Sequence, residues 1–353
     1  MINANVADST KDRAAARALV KSIVLAQGNI FIRELLRRKK ITIGVRKQEF
    51  ETNLLQAINS GDLRLADVVE WLEEVEGWGD QHIYLYHLKD ELARNPLWSS
   101  AASVQQSLPR SQQNLWDADS LVFPEEWSLT GISYNDGSLR YVWHERLKTL
   151  LRRLGMDRRD RIDGDWYQFR AYLERPDRAV MRFVLRPAKQ LAAIFMQIPA
   201  EGNAHESAHS MVRDATKPLI DWKQLADFSA SDVIKNLDQA VLDSQARTNV
   251  RSKKMRLTDA DNYVEFANTS QEGDLAESEA IRSVRRAVKP EEFAGNVGVF
   301  LYEGRTPTQQ KRTVKIEIFG EQRRIKIWAQ LKANEVWSIL ELLTNYEQWP
   351  AKT

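Results

Sequence analysis

A literal HExxH motif lies at residues 205–209, and it is the one pattern in this 353-residue sequence that specifies a reaction. His205 and His209 are one helical turn apart, which is the spacing of two imidazoles that bind the same zinc ion. Glu206 stands where the glutamate of a zincin polarises the attacking water. The motif therefore leaves a zinc metallopeptidase open as an alternative function.

The sequence around the motif argues against that alternative. Pro199 and Gly202 place His205 in the opening turn of the predicted helix, whereas the ligands of a zincin lie deeper in their helix. Val212 and Ala215 occupy the positions at which the extended motif requires glycine and histidine, so no third ligand can be assigned. We expect a solvated helix start here, and we assign no catalytic residue, metal or cofactor.

Positive charge accumulates between residues 33 and 47, where Glu34 is the one acid. Two of these cations fall in the first turn of a predicted helix, where the helix dipole disfavours positive charge. A site that tolerates such charge often binds an anion, so we interpret the cluster as a DNA-binding surface; an ordinary solvated basic face is the alternative. The candidate residues are Arg33, Arg37, Arg38, Lys39, Lys40, Arg46 and Lys47.

A second group of cations follows between residues 146 and 161. Arginine predominates in it, and the planar guanidinium fork suits phosphate oxygens. Neither group is interleaved with aromatic residues in the sequence, so we expect contacts to the DNA backbone rather than base stacking, with a steep dependence on salt. A solvated charged surface is again the alternative. The candidate residues of this group are Arg152, Arg153, Arg158 and Arg159.

Composition indicates a folded protein without disulfide bonds. The chain is 43% hydrophobic, contains no cysteine, and has a net charge of only +2, so any affinity for nucleic acid must come from a local patch. Residues 1–60 carry eleven Lys/Arg and five Asp/Glu, whereas residues 61–120 carry four and eleven. No signal-peptide pattern or long apolar run occurs, so we expect a cytoplasmic protein, or a nuclear one in a eukaryote, with no membrane partner.

The periodicity of apolar residues predicts an α+β protein. We expect five short helices in a bundle over residues 1–96, a linker over 97–124, an α+β domain over 125–246, and a C-terminal antiparallel sheet with a covering helix over 247–353.

Local patterns within these regions predict individual elements. Asn135-Asp136-Gly137 predicts a hairpin turn, and a basic helix is expected from Glu145 to Leu154. The other predicted strands are 167–173, 179–185, 191–198, 297–302, 313–318 and 322–330, and the other predicted helices are 204–217, 229–244 and 334–347.

Two N-terminal stretches, IFIRELLRRKKITIGVRKQEFETNLLQAI (30–58) and LADVVEWLEEVEGWGDQHIYLYHL (65–88), resemble the centromere protein N family. Residues 191–225 and 314–343 resemble it more weakly. The resemblance implies a death-fold-like helical bundle and a non-enzymatic protein. It further implies that the bundle binds DNA or a nucleoprotein through Arg37, Arg38, Lys39, Lys40, Arg46 and Lys47, and that the C-terminal unit pairs with a protein partner.

Taken together, these features favour a non-enzymatic adaptor that binds DNA or a nucleoprotein through backbone contacts and recruits a protein partner. Two alternatives stay open. One is the zinc metallopeptidase, and the other is a structural subunit of a multi-protein prokaryotic defence or mobile-element complex.

Overall fold

A computed structural model of the chain describes residues 3–118, 123–152, 154–197, 204–243, 249–259, 261–270, 273–288, 293–305 and 311–347. The chain divides into two compact units. Unit 1 consists of Met1–Glu73, Asp119–Thr130 and Trp143–Val180, and unit 2 consists of Glu74–Ala118, Gly131–Val142 and Met181–Thr353.

The fold is α+β, as the sequence predicted, with helices at the N-terminus and strands dominating afterwards. No helix in the described part of the chain is long and apolar enough to cross a bilayer. The helices are α1 (Asn3–Lys21), α2 (Asn29–Arg38), α3 (Lys47–Ser60), α4 (Leu65–Val75), α5 (Asp90–Ala93), α6 (Ala101–Ser107), α7 (Arg110–Gln113), α8 (Ala204–Thr216), α9 (Ala230–Leu242), α10 (Glu279–Ala287) and α11 (Ala333–Asn345).

In some strands, such as Arg324–Ile327, partly exposed and buried positions alternate, which is the pattern of a sheet with one packed face. The described part of the chain contains thirteen strands. They are β1 (His82–Leu88), β2 (Ser128–Asn135), β3 (Ser138–Arg152), β4 (Arg158–Ile162), β5 (Asp165–Phe169), β6 (Tyr172–Arg186), β7 (Leu191–Met196), β8 (Leu225–Asp227), β9 (Val250–Thr258), β10 (Tyr263–Ala267), β11 (Ala294–Arg305), β12 (Lys311–Phe319) and β13 (Arg324–Ile327).

The helical part of unit 1 is held together by amphipathic helices. Helix α2 buries Phe31, Ile32, Leu35 and Leu36, which form one stripe at helical spacing, and places its charged residues on the opposite side. Helix α3 contributes Phe50 and Leu54 to the same core. It ends at Gly61, whose φ of 87° gives the left-handed C-cap that glycine adopts without a steric cost.

The larger sheet has eleven strands in the order β10-β9-β11-β12-β13-β1-β7-β6-β3-β2, with β8 paired to β1 beside this path, and most of its residues belong to unit 2. Helices α9 and α11 cover one face of the sheet and bury a continuous apolar core. This core includes Ile83, Leu85, Phe195, Val233, Ile234, Leu237, Phe300, Ile316, Ile318, Ile325, Val336, Ile339 and Leu340.

The prediction of a fifth helix in the N-terminal bundle is wrong. The run HIYLYHL forms β1, which pairs antiparallel with β7 and β13 in the middle of the sheet. Ile83 and Leu85 enter the core, whereas Tyr84 and Tyr86 lie on the opposite face, so the run follows a period of two residues. Aromatic and β-branched side chains favour such a strand once neighbouring strands are available to pair with it.

The predicted basic helix from Glu145 to Leu154 is also wrong. Strand β3 continues through this segment to Arg152, and a 3-10 turn follows at Leu154–Met156. Strand β3 lies between β2 and β6 in the sheet, and pairing with neighbouring strands overrides the local charge pattern that suggested a helix. The predicted turn of the β2–β3 hairpin is confirmed, because Asp136 (φ 52°) and Gly137 (φ 68°) both adopt positive φ.

The segment predicted as a linker contains helices α6 and α7, and it buries Trp98, Val104 and Leu108. Residues 119–122 of that segment lie outside the described residues. The helices predicted at 204–217, 229–244 and 334–347 are confirmed as α8, α9 and α11.

Replacing Phe300 with alanine should lower the free energy of unfolding by about 3–5 kcal/mol, because the side chain is fully buried and leaves a cavity. The matched change Phe169→Ala, at a residue that is 37% exposed, should cost less than about 1 kcal/mol. Urea unfolding followed by circular dichroism measures both. Equal losses would contradict the assignment of Phe300 to the core.

Candidate nucleic-acid interface and the HExxH helix

The first cluster of predicted DNA-binding residues lies on and after α2, and four of its members have partners within unit 1. The guanidinium of Arg33 lies 5.6 Å from the ring centre of Phe50. Arg38 forms an ion pair with Glu34 at 3.2 Å, one turn away on the same helix. Lys47 donates from Nζ to the carbonyl oxygen of Leu25 at 2.8 Å.

Lys39 has a structural partner in the acidic stretch of the sequence. Its Nζ donates to Oδ1 of buried Asp67 at 2.7 Å, and the backbone N–H of Arg64 donates to Oδ2 of the same carboxylate at 2.9 Å. Burial alone would raise the pKa of Asp67, but the hydrogen bonds from Lys39 and Arg64 lower it to about 2. Lys39 therefore holds α4 to the end of α2.

Arg37, Lys40 and Arg46 are exposed, and they form no ion pair with any residue that the structure describes. Lys40 borders an open groove of about 550 Å³ whose other lining includes Asn53 and Ser60. Arg46 is the N-cap of α3 and Lys47 is its first residue, so the structure places positive charge at a helix start, as predicted. These three residues are the members of the cluster that remain available to an anion.

Lys39→Met should destabilise unit 1 by about 1–3 kcal/mol, because it leaves the buried carboxylate of Asp67 without its ammonium partner. Lys40→Met, the same change at the exposed neighbour, should alter stability by less than about 0.5 kcal/mol. Chemical denaturation at pH 7 distinguishes the two variants. A Lys39 variant as stable as the Lys40 variant would exclude a structural role for this ion pair.

The second cluster leads into a separate two-stranded hairpin, β4–β5. Arg152 pairs with the Asp157 carboxylate and donates to the carbonyl oxygen of Ala171 at 3.0 Å, while the Ala171 N–H donates to Asp157 at 3.0 Å. The hydrogen bond from Arg152 lowers the pKa of Asp157 to about 2. Arg152 therefore closes the base of the hairpin. Arg153 lies outside the described residues.

The two faces of the β4–β5 hairpin differ in charge. Paired residues of an antiparallel ladder point to the same side, and successive residues point to opposite sides. Because Arg159 pairs with Gln168 and Arg161 pairs with Trp166, these four side chains share one face, which we call the arginine face. The residues of the other face are Arg158, Asp160, Ile162, Asp165, Tyr167 and Phe169.

The arginine face is exposed and carries no carboxylate among its strand positions. Trp166 is 72% exposed, and Arg161 donates to the carbonyl oxygen of Gly164 at 2.9 Å, which leaves most of its donors free. The other face pairs Arg158 with Asp160 at 3.2 Å and stacks Arg158 on Phe169. Both strand acids therefore lie away from Arg159 and Arg161.

No aromatic residue interrupts the second cluster along the chain, as noted from the sequence, but the fold places aromatic side chains beside it. Aromatics follow the arginines along the chain rather than alternating with them, and the turn brings the two runs side by side. The signal was present in the sequence, because Asp163-Gly164 is a strong hairpin turn and both residues adopt positive φ, 53° and 93°. Trp166 and Gln168 are the candidate site residues that the sequence did not single out.

The HExxH residues lie on α8, above β1 in unit 2. The Tyr84 hydroxyl lies 2.7 Å from Nδ1 of His205, and the Tyr86 hydroxyl lies 3.2 Å from Nδ1 of His209. Two residues of a strand advance about 6.6 Å and four residues of a helix advance about 6 Å, so the two elements stay in step over these two pairs. We call these four side chains the histidine–tyrosine ladder.

Both ring nitrogens of His205 are engaged. Arg324 donates from its guanidinium to Nε2 at 3.0 Å, so Nδ1 must carry the proton and donate to Tyr84. Burial, together with the charge of Arg324, lowers the pKa of His205 to about 4. Burial, Lys326 and Arg324 likewise lower the pKa of His82, whose ring is 5.3 Å from that of His205, to about 3.

This geometry differs from that of a zincin. A guanidinium occupies the nitrogen of His205 that a metal would need, and Glu206 points to solvent. No group of three or more His, Asp, Glu or Cys residues in the described part of the chain is arranged to hold a metal. The spacing of the two histidines instead matches the spacing of Tyr84 and Tyr86 on the strand.

Protonation of His205 should destabilise the protein. The unfolded chain binds this proton at a pKa of about 6.5 and the folded chain at about 4, so stability should fall as the pH falls through that interval. His205→Gln should reduce the number of protons taken up on unfolding near pH 5 by about one. Denaturant titrations across the interval measure this number, and Glu206→Gln is the control that should retain it. An unchanged proton uptake in His205→Gln would contradict the low pKa.

No protein-family model matches this chain, and no curated protein matches it.

Proposed function

We propose that this chain is a non-enzymatic nucleic-acid-binding adaptor and that the arginine face of the β4–β5 hairpin contacts the nucleic acid. The observation that carries the proposal is the separation of charge on the hairpin. Arg159 and Arg161 lie beside exposed Trp166 on one face, and the strand acids Asp160 and Asp165 lie on the other.

A two-stranded ribbon is narrow enough to enter the major groove of DNA, and its guanidinium groups match phosphate oxygens and base edges. The indole of Trp166 offers a flat surface that can stack on an unpaired base. Gln168 adds an amide that both donates and accepts hydrogen bonds. The arginine face thus has the residue types of a nucleic-acid contact in a small exposed area.

The available cations of the first cluster support the same function. Arg37, Lys40 and Arg46 belong to unit 1, as the hairpin does, and they would add contacts to the phosphate backbone. Lys39 and Lys47 contribute less to this surface than the sequence suggested, because their ammonium groups are held by Asp67 and by the Leu25 carbonyl. The binding role that the centromere protein N resemblance implies would therefore rest on a subset of the predicted residues.

An adaptor also needs a protein partner. The resemblance assigns that contact to the C-terminal unit, and the second face of the hairpin is a further candidate. Ile162, Tyr167 and Phe169 are 42%, 47% and 37% exposed on that face, and aromatic residues beside arginine are typical of protein–protein contacts. The hairpin would then separate nucleic acid on one side from protein on the other.

The proposal predicts a salt-dependent affinity that depends on the arginine face. Charge reversal in the double variant Arg159→Glu, Arg161→Glu should weaken binding to a fluorescent DNA duplex at least about tenfold at moderate salt, because each arginine loses its phosphate contact. The slope of log K against log salt should become shallower by about two. Fluorescence anisotropy over a series of salt concentrations measures both quantities.

A matched control carries the same change in charge on exposed residues of unit 2, Arg94→Glu with Lys217→Glu. This control should retain the wild-type slope. If both double variants weaken binding equally, the effect is one of net charge and the arginine face is not the site.

Trp166→Ala distinguishes duplex binding from single-strand binding, because loss of stacking should weaken the affinity for a single-stranded probe more than the affinity for a duplex.

A further inference from the structure

Unit 2 contains an open cleft of about 380 Å³ at the end of the histidine–tyrosine ladder. We call it the α8 cleft. Its volume lies in the range of small-molecule sites, which is far too small for a nucleic-acid duplex. It is lined by Tyr84, Leu85, Tyr86, His209, Arg213, Trp222, Leu225, Asp227, Gln322 and Arg323.

Arg213 extends the series of α8 side chains that begins with His205 and His209, one further turn along the helix. Its guanidinium stacks on the ring of Trp222 at 5.5 Å and pairs with no acid that the structure describes. The indole N–H of Trp222 donates to Oγ1 of Thr216 at 2.9 Å, which fixes the ring. The guanidinium is therefore positioned while its N–H donors remain available.

His209 contributes a second donor to the cleft. Its Nδ1 faces the Tyr86 hydroxyl, and its ring lies 4.2 Å from the ring of Tyr84 in an edge-on arrangement. Nε2 is the nitrogen that can meet a ligand in the cleft. Burial lowers the pKa of His209, the charge of Arg213 lowers it further, and the carboxylate of Asp227 offsets part of this shift. A negative charge in the cleft would oppose that second effect.

One carboxylate lines the cleft in the described part of the chain. This residue, Asp227, pairs with the guanidinium of Arg323. Asp227 therefore neutralises Arg323 and not Arg213. The lining as a whole offers two guanidinium groups, one imidazole and one amide from Gln322 against that single acid. The balance favours an anion over a cation as the ligand.

We propose that the α8 cleft binds a small phosphate-bearing ligand, with Arg213 and His209 contacting the phosphate. Arginine forks match tetrahedral oxyanions, and a doubly charged group gains more from them than a single carboxylate does. The rings of Trp222 and Tyr86, 5.6 Å apart, supply an aromatic wall for whatever group the phosphate carries. This site is distinct in residues and in unit from the proposed nucleic-acid contact.

Inorganic phosphate, adenosine monophosphate and acetate at matched ionic strength test the proposal on the intact chain. The protein has five histidines, so their imidazole signals can be followed individually by NMR and assigned with single variants. Phosphate and the nucleotide should shift the His209 signal and raise its pKa, and acetate should do neither. Calorimetry gives the affinities.

Arg213→Gln should reduce the affinity for phosphate at least about tenfold, because one charge-assisted contact is lost. Lys217→Gln, one residue after the end of α8 and outside the cleft, should bind phosphate as the wild type does. Arg213→Lys is the second variant. It keeps the charge but loses the fork, so it should retain only part of the wild-type affinity for phosphate. It tests the proposal even if Arg213→Gln does not fold.

Three outcomes would overturn the proposal. They are an unchanged His209 signal in phosphate, equal binding of acetate and phosphate, and wild-type affinity in both Arg213 variants. The result is separable from the nucleic-acid function, because Arg159→Glu with Arg161→Glu should leave phosphate binding intact and Arg213→Gln should leave duplex binding intact. If the wild-type protein binds only one of the two ligands, the proposal for the other ligand's site is wrong and the first proposal stands.

Discussion

The alternation of side chains along β1 is the constraint on which unit 2 depends. One side of this strand supplies Ile83 and Leu85 to the core under α9 and α11. The other side supplies Tyr84 and Tyr86, whose hydroxyls bind the histidines of α8. Because neighbouring side chains of a strand must point to opposite faces, the same seven residues fix a buried core and a polar layer together.

The cations of this protein fall into two physical classes, and net charge does not distinguish them. Lys39 and Arg152 each hold two segments together through a carboxylate, and their partners Asp67 and Asp157 ionise at unusually low pH as a result. Arg159 and Arg37 extend into solvent from positions with no such partner in the described chain. A ligand has only to displace water from a cation of the second class. At a cation of the first class, it would have to break an ion pair that holds two segments of the fold together.

The sequence was sufficient for the α+β class, for α8, α9 and α11, and for the Asp136-Gly137 turn, because each depends on local periodicity or turn chemistry. It was insufficient for β1 and for the end of β3, where pairing with distant strands decides the conformation. The candidate sites show the same limit. The basic residues were visible as a run, but the Asp67 partner of Lys39 is distant in sequence, and the faces of the hairpin exist only once register is set.

The β4–β5 hairpin buries almost none of its side chains, and its base is closed by Arg152, Asp157 and Ala171. Residues at its tip consequently contribute little to the stability of the domain that carries them. Substitutions there are free of the packing constraints that restrict the core. Such an element can acquire new recognition properties over evolutionary time while the rest of the molecule stays the same, and it is a natural position at which to graft a different specificity.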